Sequence, residues 1–369
     1  MGVVLTVFIV LLVIVFLVVV HELGHFTAAR LAGVKCPEFF VGFGPRIWST
    51  KRGDTEFGIK WILVGGYVKV LGMNPEEEIS PEDFPHSYKG VSYWRRFWII
   101  FSGSLTHILL AVIIMFFTIW FIGYPDTSRG TNTLASVGQY MDEDQREETP
   151  AYIAGLEEGD TVLALDGHEI TSWDEISDFI KEHPGEEVTI LVEREEQEIE
   201  LTARLATLES GSGYLGVSPE VYMEDYSFTG SIVQTGKWFG QASWGVFYGV
   251  YRVFNLSTFK QLIGISEPTA ERPQTVVGIT RTASQIAGEG LFYFLNFFAF
   301  ICLFLAYINL APLPPLDGGH VVVLLWEKIT GREVDMRKLY PVAVAVLAFF
   351  LILFVLTLRL DITNPINLP

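Results

Sequence analysis

His21-Glu22-Leu23-Gly24-His25 follows directly on an apolar run, residues 3–20, in which Thr6 is the one polar side chain. On a helix, residues four apart share a face, so His21 and His25 can reach one ion while Glu22 stands beside it as a proton acceptor. Two imidazoles and a carboxylate at the end of a membrane-length segment are costly unless they are paired, solvated or bound to metal. The spacing therefore points to a metal-binding, hydrolytic helix at the end of a span.

The rest of the chain supplies the setting. Half of the 369 residues are hydrophobic (50%) and the mean hydropathy is +0.36, too apolar for an ordinary soluble domain. The apolar residues cluster in four segments, 3–20 (the helix continuing to about Ala32), 97–122, 291–310 and 340–358. Each approaches the ~20 residues needed to cross a hydrocarbon core. The first has no basic n-region and no small-residue cleavage site, so it reads as a retained span and not as a signal peptide.

Charge divides the chain. Residues 125–237 carry 26 Asp and Glu against 6 Lys and Arg, a net of −20 within a total of −18. That block reads as one soluble domain between two spans, and its acidity argues against nucleic acid as a partner. Residues 35–96 carry nine Lys and Arg, and the third-to-fourth connection adds Lys328, Arg332, Arg337 and Lys338. The positive-inside rule places both connections in the cytosol, and the acidic domain and both chain ends outside. Cys36 and Cys302 lie on different segments in no metal-type spacing, so neither a disulfide nor a thiolate site is implied.

Between the first two spans, glycine-punctuated aromatic and β-branched runs (residues 39–50, 55–62 and 65–70) read as a small antiparallel sheet. Non-helical backbone at membrane depth must be buried in protein or line a wet cavity, so this sheet is expected against the metal site, with an edge able to pair an extended peptide. Residues 74–89 read as a surface loop, and Tyr93-Trp94-Arg95-Arg96 as an interfacial anchor. His107, inside the second span, is either functional or hydrogen-bonded to a neighbouring helix.

In the acidic block, Ala154 to Gly167 matches the bacterial PDZ hallmark A-G-L-x-x-G-D-x-(apolar)-x-x-(apolar)-D-G at every position. This stretch resembles a PDZ domain. A strand near 133–140 and a helix from Trp173, capped by Thr171 or Ser172, would form its peptide groove. Aromatic and small residues alternate from 236 to 265, with Lys237, Arg252 and Lys260, as in an amphipathic helix lying on the outer leaflet. Glu271 to Ile279 leads back towards the membrane.

The third span ends in Asn309-Leu310-Ala311-Pro312-Leu313-Pro314-Pro315-Leu316-Asp317-Gly318-Gly319-His320, where three prolines break the helix and hold a carboxylate. The first and third spans run in the same direction and finish at one depth. Two imidazoles and one carboxylate leave a fourth position for water, the arrangement of catalytic zinc.

HELGH, the PDZ hallmark and N-x-x-P-x-x-P-x-D-G-G-H together resemble the site-2 protease family of intramembrane zinc metalloproteases, in its bacterial single-PDZ group. Phe40-Val41-Gly42-Phe43-Gly44-Pro45, Gly65-Gly66-Tyr67, residues 273–279 and Asn364-Pro365-Ile366 extend the resemblance over essentially the whole chain. It implies an α-helical polytopic membrane protein with four transmembrane helices, a membrane-associated β-sheet and an inserted α/β PDZ domain. The divisions are 1–34, a first transmembrane helix with HELGH; 35–96, a cytosolic-side β-region and loop; 97–123, the second span; 130–220, the extracytoplasmic PDZ domain; 236–266, the interfacial helix; 290–320, the third span with Asp317; and 339–360, the fourth.

The family further implies one Zn2+ on His21, His25 and Asp317, Glu22 as general base, and Asn309, Gly65 and Gly66 beside the substrate. The expected substrate is the transmembrane segment of a single-span protein such as an anti-sigma factor. An upstream site-1 type protease would first trim its ectodomain, and the bilayer is the enzyme's other partner. The site would lie near the cytosolic face of the cytoplasmic membrane. One motif departs: the family's Gly-Pro-x-x-Asn is Gly103-Ser104-Leu105-Thr106-His107 in this chain. The alternative is a zinc transporter or metal-sensing membrane protein with a PDZ scaffold domain.

Overall fold

The computed structural model describes residues 3–74, 77–142, 147–208, 211–253, 255–269, 272–288, 290–332 and 334–366. It comprises two compact units, Met1–Thr118 with Thr229–Pro369, and Ile119–Phe228.

In the first unit, helix α1 (Val3–Leu31) runs without a break through the HELGH motif. Strands β1 (Glu38–Arg52) and β2 (Thr55–Lys69) follow as a hairpin turning at Gly53. Phe39 of β1 is flanked by Phe57 on one side and Val68 on the other, and Phe40 by Gly58 and Tyr67, so β2 folds around the start of β1. Near the turn, Trp48 and Trp61 are 57% and 69% exposed. Helix α2 (Tyr93–Phe121) begins earlier than its apolar run because Tyr93 to Arg96 form its first turn. Residues 77–89 are irregular apart from a 3-10 turn at Phe84–His86, tied by Lys35 to Asp83 at 2.7 Å.

α1 and α2 meet backbone to backbone: a Cβ on Gly24 would lie 2.5 Å from the Ser102 carbonyl oxygen. Thr106 Oγ1 donates to the Val20 carbonyl at 3.1 Å at the same crossing. Beneath it, Ala29, Ala32, Val34, Cys36, Val70, Val91 and Ile99 form a small core. Burial pushes the Cys36 thiol up to about 11, which suits an inert core residue.

The second unit is built on a sheet in the order β12-β3-β6-β8-β9. Strand β3 (Tyr124–Val137) leads through the short β4 (Tyr140–Asp142) and β5 (Glu147–Glu148) to α3 (Pro150–Ala154). Thr149 caps α3, accepting from the Tyr152 N–H, and Gly155 ends it in the left-handed region (φ 81). β6 (Thr161–Leu165) and β7 (His168–Glu169) precede α4 (Trp173–Glu182), whose Ile176 and Ile180, one turn apart, are buried. Ser172 is the N-cap without a side-chain bond, and the neighbouring Thr171 N–H donates instead to Glu175 at 2.8 Å. β8 (Glu187–Arg194), β9 (Gln197–Arg204), β10 (Ala206–Thr207), β11 (Gly213–Tyr214) and β12 (Val217–Glu224) complete the unit. Its core gathers Leu134, Leu165, Ile176, Ile190 and Val192 from both layers. Arg194 fastens one end: its Nε donates to Asp160 Oδ1 and its Nη1 to Glu157 Oε1, each at 2.7 Å, which raises its pKa further.

β3 lies beside α4, the two elements that the sequence reading expects to flank a groove, with a Cβ on Gly130 falling 2.6 Å from Trp173 Cβ. It pairs with β12 along its length and with β6 at Thr133 and Thr161. The edge strand is β12, which the chain adds last. A pocket of about 220 Å³ lies between α4 (Trp173, Ser177, Ile180, Lys181) and residues 212–217.

The first unit resumes with α5 (Phe228–Val253) and α6 (Leu256–Leu262), two helices where sequence reading placed one at 236–266. α7 (Val276–Gly288) was not anticipated; it begins within the 271–279 stretch expected to lead back towards the membrane, of which Glu271 lies outside the described residues. α8 (Leu291–Asn309) packs along α5, with Trp238 Nε1 donating to Asn296 Oδ1 at 2.7 Å and Ser243 hydrogen-bonded to Tyr307 at 2.8 Å. The third span does not continue to 320. Pro312, Pro314 and Pro315 interrupt it, and Asp317 opens a separate helix, α9 (Asp317–Thr330). The turn folds back so tightly that a Cβ on Gly318 would stand 2.2 Å from the Leu310 carbonyl oxygen, and one on Gly319 2.6 Å from Pro314 N.

α10 (Tyr340–Thr363) closes the chain. Its Asp361 is 1% exposed and pairs with Arg272 at 2.6 Å while accepting from the N–H and hydroxyl of Thr275, each at 2.7 Å. Among the described residues, four helices are long and apolar enough to cross a membrane: Leu12–Leu31, Tyr93–Phe121, Leu291–Asn309 and Arg337–Thr363, the last including the 3-10 turn before α10.

Candidate metal centre

α1 sets His21 and His25 one turn apart, with their Nε2 atoms 3.1 Å from each other. Asp317 Oδ2, at the first residue of α9, lies 3.2 Å from His21 Nε2 and 3.3 Å from His25 Nε2. The three atoms form a nearly equilateral triangle. Tetrahedral zinc with ligands at about 2.0–2.1 Å spaces its donor atoms by about 3.3 Å. Asp317 Oδ2 is also buried and receives no hydrogen bond, a costly state for a carboxylate oxygen facing two ring nitrogens. The donor set and its spacing thus fit one zinc ion. Among the described residues this is the one cluster of three or more His, Cys, Asp or Glu so arranged.

The surroundings orient the ligands. His25 Nδ1 donates to the Ile99 carbonyl of α2 at 2.7 Å, which leaves the Nε2 lone pair directed at the centre. Gly103 forms the wall behind it: a Cβ there would lie 2.3 Å from His25 Nε2 and 2.8 Å from His21 Cε1. His21 Nδ1 is buried and unpaired, and its ring stacks on that of His107 with centroids 5.2 Å apart and planes at 29°.

Glu22 points to the sheet side, where its Oε2 accepts from the Val68 N–H at 2.9 Å. Gly66 is close by: a Cβ added to it would meet Val18 at 3.1 Å and Glu22 Cγ at 3.5 Å. Gly65 has φ +103 and packs on the Phe43 ring. Asn309 is the last residue of α8, partly exposed, and no hydrogen bond brings it to the histidines. The structure brings together His21, His25 and Asp317, which the sequence expectation groups, while Val68 and Gly103 were not singled out there. Val68 carries no side-chain signal, whereas Gly103, four residues before His107 on a span, was legible as a close-approach position.

An HExxH helix joined by a distant aspartate defines a metalloprotease centre. The chain belongs to Peptidase family M50, the site-2 protease family of zinc metalloproteases, matching it across residues 9–354. It is similar to zinc metalloprotease Rip1 of Mycobacterium tuberculosis (strain ATCC 25618 / H37Rv), 28% identical over 95% of each chain. It is 30% identical to a putative zinc metalloprotease of Helicobacter pylori over 86% of this chain and 88% of that one. Zinc metalloprotease RasP of Geobacillus kaustophilus is 25% identical over 87% and 89%. Among solved structures, the PDZ domain of an SdrC-like protein from Listeria innocua matches at 25% identity and a TM-score of 0.20, covering 26% of this chain and 99% of that one. The family and the four apolar helices make this a multi-pass membrane protein.

Proposed function

We propose that the protein is an intramembrane protease that cuts the transmembrane segment of single-span membrane proteins, anti-sigma-factor-like in kind, after an upstream site-1 type protease has shortened their ectodomains. The observation that carries this reading is the triangle of His21 Nε2, His25 Nε2 and Asp317 Oδ2, with sides of 3.1, 3.2 and 3.3 Å, at the end of an apolar, span-length helix. One zinc ion held by these three would supply a Lewis acid and lower the pKa of a bound water towards about 7.

Glu22 then serves as the general base. Its Oε2 is engaged by the Val68 N–H, which directs Oε1 to take the water's proton and return it to the leaving amine. His25 Nδ1 donates to the Ile99 carbonyl, which leaves Nε2 as the nitrogen that would ligate the ion. A substrate helix must unwind before attack. Residues 65–68 of β2, beside Glu22, offer backbone that pairs the extended strand and offsets that cost, with Gly65 and Gly66 keeping the approach open. Asn309 donates to the substrate backbone from the end of α8. The exposed Trp48 and Trp61 at the far end of the hairpin suit a sheet set into the bilayer.

The acidic second unit, a PDZ-type domain on the outer side, and the helical segment over residues 236–266 act as a filter against untrimmed substrates. The basic connections put the metal near the cytosolic face. A transporter built on the same three ligands is less well supported, because among the described residues no second cluster of this kind offers an onward site.

The test is co-expression of wild type or Glu22→Gln with a tagged single-span substrate lacking its ectodomain, with zinc measured on both purified proteins. Cleavage by wild type alone, with about one zinc in each, is the expected result; cleavage by Glu22→Gln sinks the assignment. Deleting residues 130–210 should let untrimmed substrates be cut. Continued refusal of untrimmed substrate, with trimmed substrate still processed, ends the filter idea.

A further inference from the structure

A metal-bound imidazole is normally held by a hydrogen bond from its other nitrogen to a carbonyl, carboxylate or water. His25 follows that rule through Ile99, whereas among the described residues no protein group accepts from the buried His21 Nδ1. The His21 ring has two aromatic neighbours, His25 at 4.8 Å in an edge arrangement and His107 at 5.2 Å in a stacked one.

We propose that His107 is a positioning residue for zinc ligation, its stacked ring fixing the plane of His21. The inference rests on the reading of His21, His25 and Asp317 as the zinc ligands. His107 is 2% exposed, and its ring lies face to face with that of His21, the planes at 29°. Its placement is firm. Thr106, the preceding residue, is bonded to the Val20 carbonyl, immediately before His21, and Gly103, one turn earlier, lies against both ligand rings. α2 therefore holds one flat ring against another, and rotation of His21 about its outer bond would break the stack. A flat aromatic face does this work, whereas an aliphatic side chain of similar volume fills the space without selecting a ring angle.

The test uses the full-length protein in detergent with His107→Phe, His107→Leu and, as a control on the ligand reading, Asp317→Ala. Zinc affinity is measured by competition with a chelator, and the ligand field by the absorption of the cobalt-substituted protein. Loss of a group that orients a ligand typically costs 10–100-fold in metal affinity. His107→Leu should weaken zinc by that factor and broaden the cobalt bands, while His107→Phe stays within a few-fold of wild type. Equal zinc affinity in wild type and His107→Leu, or equal loss in Leu and Phe, overturns the proposal. If Asp317→Ala keeps wild-type affinity, the ligand assignment itself has failed, a distinct result. Melting of the metal-stripped variants separates a general packing defect, which would lower Leu and Phe alike, from the loss of ring orientation.

Discussion

The Val68 N–H reaches Glu22 Oε2 at 2.9 Å, so a backbone donor in β2 aims the carboxylate on α1. The sheet thereby sets which oxygen of Glu22 is spare. Val68→Pro removes that donor while keeping an apolar side chain. Proline is tolerated where the strand's N–H does not serve the ladder. The expected outcome is a fall in kcat of about tenfold or more, since a positioned base contributes 10²–10⁴-fold, with zinc content unchanged. Peptide cleavage and metal analysis on the same preparation check it.

Gly103→Ala should cost the metal and not the fold. The new Cβ would sit 2.3 Å from His25 Nε2, and the wall behind it is helix backbone that cannot yield. Zinc retention should fall at least a hundredfold, with helical circular dichroism near wild type. Gly24→Ala acts differently, pressing on the Ser102 carbonyl and prising α1 from α2. It should lower stability by about 1–3 kcal/mol, the usual penalty for overpacking.

Removing zinc with a chelator should lower the melting temperature, and adding it back should restore it. A ligand at 100 times its Kd stabilises by about 2.7 kcal/mol, and the three donors come from helices far apart in the chain. An unchanged melting curve on stripping would count against a shared ion.

Arg272→Ala or Asp361→Ala leaves one buried charge alone and should destabilise by about 3–5 kcal/mol. The double replacement Arg272→Met with Asp361→Leu should lose much less, because neither charge then needs a partner. Thermal melts of the three variants decide this.

Glu175 accepts from the Thr171 N–H first and its hydroxyl second, which holds its carboxyl below the ordinary glutamate value. A depressed carboxylate favours the folded α4 terminus above its unfolded pKa of about 4.3. That contribution is lost as the pH falls through the lower folded value. Carboxyl-carbon NMR on the full-length protein should find Glu175 titrating below the bulk of the glutamates. A midpoint at or above the ordinary value contradicts the cap.

What sequence reading could reach follows from the range of its signals. Histidines four apart on an apolar run, and an aspartate after three prolines, are local patterns with strong chemical content, and both fell where they were expected. The helix break at Asn309 was hinted at by Pro312, but a separate α9 beginning at Asp317 depended on a turn so tight that Gly318 and Gly319 stand against backbone. α7 and the division between α5 and α6 were hidden because their moderate polarity suits loop and helix alike, and packing on α8 and α10 decides. The outer edge of the second unit's sheet was not legible for a topological reason: β12 joins β3 from far along the chain. Ties made by backbone atoms, such as Val68 to Glu22, leave no trace in residue identity.

The placement of Asp317 has a consequence for biosynthesis. A ribosome delivers His21, Glu22 and His25 with the first helix, and their orienting partners Ile99 and Gly103 with the second. The third donor emerges only after the whole soluble unit and α5 to α8 have been made. For most of its synthesis the nascent chain carries two of the three residues that we read as the metal's ligands, too few to hold it as the finished protein would. A hydrolase assembled in a membrane crowded with other nascent helices is thus inert by construction until its last third has been inserted.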